Sequence, residues 1–209
     1  MGRSIASHAI DLDRATQAMV GQAVIIIRAC GERARFVDYL LSRLPGSLVV
    51  WDRWSDAMET FLRALEAAGD SAALHMEDDV LLTRDFVAKA AAVLERHGDR
   101  PVQFFSLPRK RDALGSRLEP GRTFCMGQCF YLPPGMSRKL LEYAPTWPRR
   151  MEHPTGLDLM VADFLRGRRQ QYWLHMPSLV QHRRLPSLID PRRSKSRQSA
   201  SFVDPDDEE

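Results

Sequence analysis

Apolar residues along the first half of the chain fall into short β-branched runs that alternate with helical stripes. Residues 23–27, AVIII, contain no polar position, which is typical of a strand buried on both faces. Residues 33–44 then carry apolar side chains at the spacing of one helix face, and Pro45-Gly46 ends that pattern. This part of the chain therefore predicts a strand followed by a helix.

The same pattern repeats twice more. Residues 47–51 predict a second strand, and a helix capped at Ser55 or Asp56 follows it. Residues 72–76 predict a third strand, and residues 84–96 predict a third helix. Alternating strands and helices predict a mostly parallel sheet with helices on both faces, which is the α/β class.

The second half of the chain is less regular. Residues 102–107 and 172–176 predict two more strands, and the apolar stripe of residues 157–165 predicts a helix between them. The polar segment 109–122 contains glycine and proline and predicts a mobile loop.

These elements predict one α/β domain over residues 21–185, with a polar leader at 1–20 and a charged tail at 186–209. A chain of 209 residues with 44% hydrophobic content is long enough for one well-buried core. Residues 183–197 hold six basic residues and one acid, and residues 204–209 hold five acids. Such charge blocks without apolar periodicity predict a flexible tail.

Composition excludes few classes of function. The 30 Lys and Arg exceed the 27 Asp and Glu by 3, which suits an enzyme of anionic substrates as well as a nucleic-acid-binding protein. No apolar run has the length of a signal-peptide core or a membrane helix, which predicts a cytoplasmic protein without a membrane span. Cys30, Cys125 and Cys129 lack the second pair of a zinc site and are expected to be reduced thiols.

Three consecutive carboxylates, Glu77, Asp78 and Asp79, follow the third predicted strand. Packing them at a strand end is unfavourable unless a cation, a hydrogen-bond donor or water compensates, and Mg²⁺ and Mn²⁺ accept oxygen ligands. The cluster therefore predicts a metal site. The alternative is a solvated acidic turn that leads into the next helix, with Thr83 as the N-cap of that helix.

Glycine-rich phosphate loops are absent from the sequence. The chain has no G-x-x-x-x-G-K motif and no G-x-G-x-x-G after its first strand, which argues against a P-loop NTPase or a dinucleotide dehydrogenase. Phosphate would then be held by a metal on the acids and by arginines. Arg28 and Asp52 end the first two predicted strands, where ligands of such sheets bind.

Residues 74–80, LHMEDDV, followed by Asp85-Phe86, resemble the acidic motif of GT-A fold glycosyltransferases, particularly the N-acetylglucosaminyltransferase I type with its Glu-Asp-Asp. Weaker motifs extend the resemblance over residues 24–182. It implies a single GT-A, Rossmann-like domain that uses Mn²⁺ or Mg²⁺ and a nucleoside-diphosphate sugar, with a UDP-sugar as the first expectation. The implied reaction moves the sugar to an acceptor hydroxyl.

The resemblance also implies the residues of the donor site. In the family, the last acid of the motif binds the metal, which implies Asp79, and the middle acid contacts the ribose. An aspartate after the second strand faces the base. By position, the implied nucleotide-binding residues are Asp78, Glu77, Asp52 and Arg28 or Arg33.

Two residues of the second half complete the implied site. Asp158 matches the general base that takes the proton from the acceptor hydroxyl, and direct displacement would invert the anomeric centre. The alternative is structural, because Thr155 and Asp158 have capping-box spacing. His182 matches a late histidine that reaches the metal, and a structural histidine is its alternative.

The acceptor is left open by the sequence. A protein, a saccharide or a hydroxylated DNA base would each supply a hydroxyl, and a DNA acceptor would need a basic surface such as residues 109–111. A non-enzymatic nucleic-acid-binding protein is the alternative from another class, and it is supported by residues 109–111, Arg168-Arg169 and the basic tail. Receiver-type acid sites fit less well, because the first predicted strand ends in Arg28-Ala29-Cys30.

Overall fold

The structure is a computed structural model that describes residues 19–107, 114–188 and 197–206. Most of the predicted polar leader and part of the predicted loop at 109–122 lie outside these residues. Within them, the helices are α1 (Ala34–Arg43), α2 (Ala57–Ala68), α3 (Phe86–His97), α4 (Met136–Tyr143) and α5 (Leu157–Gly167). The strands are β1 (Met19–Val20), β2 (Ala23–Ala29), β3 (Leu48–Trp51), β4 (Ala73–Glu77), β5 (Val80–Leu82), β6 (Val102–Gln103), β7 (Gly115–Pro120), β8 (Cys129–Leu132), β9 (Gln171–Met176) and β10 (Val180–His182).

The central sheet of the described residues has the strand order β1-β2-β4-β8-β6-β9-β7, and β3 also pairs with β2. The strands β2, β3, β4, β6 and β9 run in one direction, and β1, β7 and β8 run in the other. The strands β5 and β10 form a separate antiparallel ribbon. The predicted α/β class with a mixed, mostly parallel sheet is therefore confirmed, and the arrangement is compatible with a Rossmann-like fold.

Side-chain alternation along β2 separates the two faces of the sheet. Ile25 and Ile27 belong to one buried cluster with residues of α1 and α3, whereas Ile26 is clustered with residues of α2. The helices α4 and α5 join α2 on this second face in a cluster that includes Phe61. Helices thus cover both faces, which explains why β2 has no polar residue before Arg28.

The carboxyl ends of β2, β3 and β4 meet at one edge of the sheet, because these three strands are parallel neighbours. Arg28 of β2 lies opposite Glu77 of β4. On the other side of β2, Ala29 lies opposite Trp51 of β3. The residues that follow the three strands, including Asp52 and the acidic cluster, are therefore placed at this edge.

Three local predictions are wrong. Residues 115–120 form β7 instead of a loop, because their backbone pairs with β9 although the side chains are mostly polar. The strand β6 pairs over two residues instead of the six predicted at 102–107. Thr83 does not cap α3, whose N-cap residue is Asp85, because the Thr83 hydroxyl donates to the carbonyl oxygen of Val203 at 3.0 Å.

Residues 197–206 contact the domain, although the sequence predicts a flexible tail there. The backbone N–H of Asp206 donates to the carbonyl oxygen of Leu82 at 2.9 Å. The Oγ atoms of Ser199 and Ser178 lie 2.8 Å apart. This segment therefore packs against the β5–β10 ribbon through polar contacts that apolar periodicity does not indicate. Most of the remaining tail lies outside the described residues.

His75 of β4 is fully buried on the α2 face of the sheet. Its ring stacks on Phe130 with centroids 5.3 Å apart and meets Phe61 edge-on at 5.8 Å. Burial first, and then the nearby Arg28 guanidinium, lowers the pKa of His75 from 6.5 to about 3. The imidazole is therefore neutral in the folded protein near neutral pH.

His75→Leu is expected to flatten the dependence of stability on pH. The unfolded chain binds a proton at His75 as the pH falls through 6.5, whereas the folded protein does so only near about 3, so folding loses stability across this window. At about pH 5 this single group costs about 2 kcal/mol. Urea unfolding at about pH 7.5 and about pH 5 measures how much unfolding free energy each protein loses between the two pH values. The wild type is expected to lose more than His75→Leu, because the two proteins share all other titratable groups. Equal losses would contradict the burial of His75.

Candidate functional site

A cleft of about 400 Å³ opens at the carboxyl ends of β2, β3 and β4. Residues from widely separated parts of the chain line it. All of the predicted site residues are among them: Arg28, Arg33, Asp52, Glu77, Asp78, Asp79, Asp158 and His182. The volume lies within the range of small-molecule sites, which is roughly 300–1,000 Å³.

The β5–β10 ribbon brings His182 to the acidic cluster. His182 lies opposite Val80, the residue after Asp79, and the Arg183 N–H donates to the Asp79 carbonyl oxygen at 2.9 Å. As a result, His182 Nε2 is 3.3 Å from Asp79 Oδ2. Strand pairing, rather than any local sequence motif, thus positions the imidazole.

Glu77, Asp79 and His182 form a candidate donor set for a metal ion. Each offers one ligand atom, and the three atoms lie within 4.8 Å of one another. Asp79 Oδ1 is buried and has no hydrogen-bond partner among the residues that the structure describes. Two carboxylates and an imidazole are ligands that suit Mn²⁺ or Mg²⁺, with the imidazole favouring Mn²⁺. The sequence predicted Asp79 and His182 as ligands but placed Glu77 with the nucleotide.

Arg33 contacts the acidic cluster from the turn that precedes α1. Its Nη1 donates to Asp79 Oδ2 and, at 3.3 Å, to Asp78 Oδ1. Its Nη2 donates to the carbonyl oxygen of Pro186 at 3.1 Å. Burial acts to lower the pKa of Arg33, but the charges of Asp79 and Asp78 outweigh it and raise that pKa. The guanidinium is therefore a permanent positive charge within the cluster.

The carboxyl groups of the cluster remain incompletely compensated. Burial first, and then the Glu77 carboxylate, raises the pKa of Asp79 to about 6, although His182 and Arg33 act in the opposite direction. Burial also raises the pKa of Asp78, although the hydrogen bond that the Cys30 N–H donates to its carboxylate at 2.8 Å acts to lower it. Buried carboxylates are costly without a matching cation, so the cluster favours additional positive charge.

Arg28 has a different environment from Arg33. Its guanidinium carbon lies 5.5 Å from the ring centroid of Phe61 and 5.6 Å from that of Phe130. It donates to the Gly127 carbonyl oxygen, and its Nη2 is 3.9 Å from Glu77 Oε1. Burial lowers the pKa of Arg28, against the charge of Glu77. Arg28 is thus a fixed cation in the wall of the cleft, whereas Arg33 reaches the acids directly.

Asp158 lies in the first turn of α5. Its Oδ2 accepts the Met126 N–H at 3.1 Å, and its Oδ1 accepts the Leu159 N–H at 3.0 Å. Within the described residues, α5 has Gly156 as its N-cap residue and no side-chain cap, so the capping-box alternative is wrong. Asp158 is instead fixed to the loop before β8. Sequence reasoning did not single out Met126, whose φ of 72° is unusual for a non-glycine residue.

Asp52 organises the loop between β3 and α2. Its Oδ1 accepts the N–H groups of Trp54 at 3.0 Å and Asp56 at 3.1 Å. Asp56 then caps α2 by accepting the Met58 N–H at 2.9 Å, which identifies it as the cap among the two predicted residues. The Asp52 carboxylate therefore lines the cleft with one oxygen engaged in loop structure, and its role toward a base stays a prediction.

No protein-family model matches this chain, and a search of curated proteins finds no significant match. None of the helices in the described ranges is both long and apolar enough to cross a bilayer. Of the basic residues on which the nucleic-acid hypothesis depends, Arg168 and Arg169 are exposed after α5, whereas residues 109–111 and 192–195 lie outside the described ranges. The chemistry of the cleft is therefore the main guide to function.

Proposed function

We propose that this chain is a metal-dependent glycosyltransferase of the GT-A type. It moves a sugar from a nucleoside-diphosphate donor, with a UDP-sugar as the preferred assignment, to an acceptor hydroxyl. The observation that carries the proposal is the convergence in one cleft of the donor set Glu77, Asp79 and His182 with a separate carboxylate, Asp158. This combination supplies the two functions that sugar transfer needs, which are charge neutralisation at the leaving group and proton removal at the acceptor.

Glu77, Asp79 and His182 would hold the Mn²⁺ or Mg²⁺ ion in this proposal. The fit is supported by the mixed oxygen and nitrogen ligands and by the buried Asp79 Oδ1, which lacks a hydrogen-bond partner among the described residues. When bound, a divalent ion neutralises the negative charge that develops on the departing diphosphate.

The nucleoside is assigned to the residues around the ends of β2 and β3. Asp78 binds the ribose hydroxyls, Asp52 faces the base, and Arg33 binds the phosphate side of the donor. Arg33 suits this role because a guanidinium donates two parallel hydrogen bonds to phosphate oxygens. Arg28 maintains the shape of the cleft wall from its position between Phe61 and Phe130.

Asp158 acts as the general base in this proposal. Its carboxylate takes the proton from the acceptor hydroxyl as that oxygen attacks the anomeric carbon, and the oxygen–carbon bond forms as the bond to the diphosphate breaks. Direct displacement inverts the anomeric centre. The hydrogen bond from Met126 N–H holds the carboxylate in place. The acceptor hydroxyl belongs to a protein, a saccharide or a hydroxylated DNA base.

Calorimetric titration of UDP and GDP into the wild-type protein tests the proposal. With Mn²⁺ present, UDP is expected to bind. EDTA is expected to weaken that binding by at least about tenfold, because an ion held by Glu77, Asp79 and His182 would neutralise the charge of the diphosphate. GDP is expected to bind more weakly than UDP. Failure of both nucleotides to bind with Mn²⁺ would overturn the proposal. UDP binding that is unchanged by EDTA would show that the metal-dependent part of the proposal is wrong.

A further inference from the structure

Arg33 contacts the Asp79 carboxylate that the candidate metal would also use. Asp79 Oδ2 is the oxygen that lies 3.3 Å from His182 Nε2, and Arg33 Nη1 donates to this same oxygen. Arg33 Nη1 also lies 3.3 Å from Asp78 Oδ1. A cation held by Asp79 and His182 would therefore lie next to a positive guanidinium on the same carboxylate.

We propose that Arg33 is an internal cation that occupies this site in the metal-free protein and leaves it when Mn²⁺ and the nucleotide bind together. The inference rests on the proposed function for the identity of the two ligands. Two positive charges that share one carboxylate repel each other strongly in a half-buried environment. Metal binding without nucleotide must therefore displace Arg33 from a satisfied ion pair.

The nucleotide gives Arg33 a new partner. A displaced guanidinium at the edge of the cleft can donate two parallel hydrogen bonds to diphosphate oxygens. The loss of the contacts to Asp79 and Asp78 is thereby offset only when the diphosphate is present. Metal and nucleotide consequently increase each other's affinity, and this coupling is reciprocal because binding free energies are linked.

Displacement of Arg33 also changes the wall of the cleft. Arg33 Nη2 donates to the Pro186 carbonyl oxygen at 3.1 Å, and Pro186 lies between Leu185 and Ser187, which line the cleft. This hydrogen bond joins the turn before α1 to the segment that follows His182. Release of Arg33 from the acids therefore changes a contact of the cleft wall in the same step.

Titration of MnCl₂ alone, without nucleotide, into matched variants tests the inference. Arg33→Gln removes the charge and keeps a donor for Pro186, and it is expected to bind Mn²⁺ at least about fivefold more tightly than the wild type. Arg33→Lys keeps a single point charge and is expected to have an intermediate affinity. Arg35→Gln is the control, because Arg35 is exposed and stacks on Phe36 with its guanidinium carbon 4.7 Å from the ring.

A second titration measures the coupling. With saturating Mn²⁺, Arg33→Gln is expected to bind UDP at least about fivefold more weakly than the wild type, so the two effects of one substitution have opposite signs. Circular dichroism confirms that each variant is folded. If Arg33→Gln misfolds, Arg33→Lys still tests the inference, because wild-type affinity for Mn²⁺ in that variant would contradict it.

The outcomes separate the two proposals. If wild-type protein binds UDP with Mn²⁺ but Arg33→Gln binds Mn²⁺ alone no more tightly than the wild type, the role of Arg33 is wrong and the glycosyltransferase proposal stands. If neither protein binds Mn²⁺ with or without UDP, both proposals are wrong. A gain in Mn²⁺ affinity without a loss in UDP affinity would contradict the transfer of Arg33 to the diphosphate.

Discussion

Asp79→Asn is expected to abolish measurable Mn²⁺ binding and to weaken Mn²⁺-dependent UDP binding by at least about 100-fold. Asp79 belongs to the candidate donor set: Oδ2 lies 3.3 Å from His182 Nε2, and the buried Oδ1 lacks a hydrogen-bond partner in the described structure. An asparagine keeps the shape of the side chain but carries no charge and only one oxygen. The variant therefore isolates metal binding from the shape of the cleft.

Calorimetry with UDP and Mn²⁺, repeated with EDTA, measures this effect. Asp38→Asn is the matched control, because it makes the same chemical change on the exposed surface of α1. The control is expected to bind as the wild type does. In EDTA, the residual UDP affinity of Asp79→Asn and of the wild type is expected to agree within about threefold, since both then lack the metal. Undiminished Mn²⁺ binding by Asp79→Asn would refute the assigned ligand set.

Asp158→Asn is expected to lower the rate of sugar transfer by about 10²–10⁴-fold, with UDP affinity in Mn²⁺ changed by less than about threefold. The single asparagine oxygen can still accept the Met126 N–H that the aspartate accepts at 3.1 Å, with the loss of the bond from Leu159 N–H, so the contact to the loop before β8 is kept. The amide cannot take up the proton of an acceptor hydroxyl. The substitution is therefore expected to lower the rate of sugar transfer and to leave the affinity for the donor unchanged.

The measurement is UDP release from a panel of UDP-sugars with saccharide, peptide and hydroxymethylated DNA acceptors. Glu152→Gln serves as the control, because Glu152 is exposed in the segment that leads to α5 and does not line the cleft. It is expected to retain wild-type rates. Full transfer activity in Asp158→Asn would show that another group removes the proton. A parallel loss of UDP binding would assign Asp158 to the donor instead.

Apolar periodicity predicts much of the first half of the fold. The strand β2 has no polar residue before Arg28 because helices pack on both faces of the sheet, and α2 begins at one of its two predicted caps, Asp56. Apolar periodicity does not predict the strand β7. Its sequence, GSRLEP, lies at the edge of the sheet with partly or fully exposed side chains, so backbone pairing with β9, rather than apolar alternation, makes it a strand.

The candidate site is only partly predictable, because its groups come from distant segments. The three adjacent carboxylates are visible in the sequence, whereas the approach of His182 depends on the pairing of β10 with β5. From the sequence, Arg28 and Arg33 are equally good candidates for the nucleotide-binding arginine. Strand alternation places the Arg28 side chain against Phe61 and Phe130 on the α2 face of the sheet. The turn before α1 places the Arg33 side chain against the acids. The sequence does not indicate which face of the sheet carries Phe61 and Phe130, or that the turn before α1 faces the acids.

The acidic cluster and His182 are synthesised at different times during translation. Glu77 and Asp79 precede His182 by about 100 residues, which at typical rates of synthesis corresponds to about 5–20 s. During that interval β5 lacks its partner strand, whereas Arg33, which contacts the acids in the folded protein, is already part of the chain. The guanidinium that contacts the acids in the folded protein is therefore synthesised well before the imidazole that contacts Asp79.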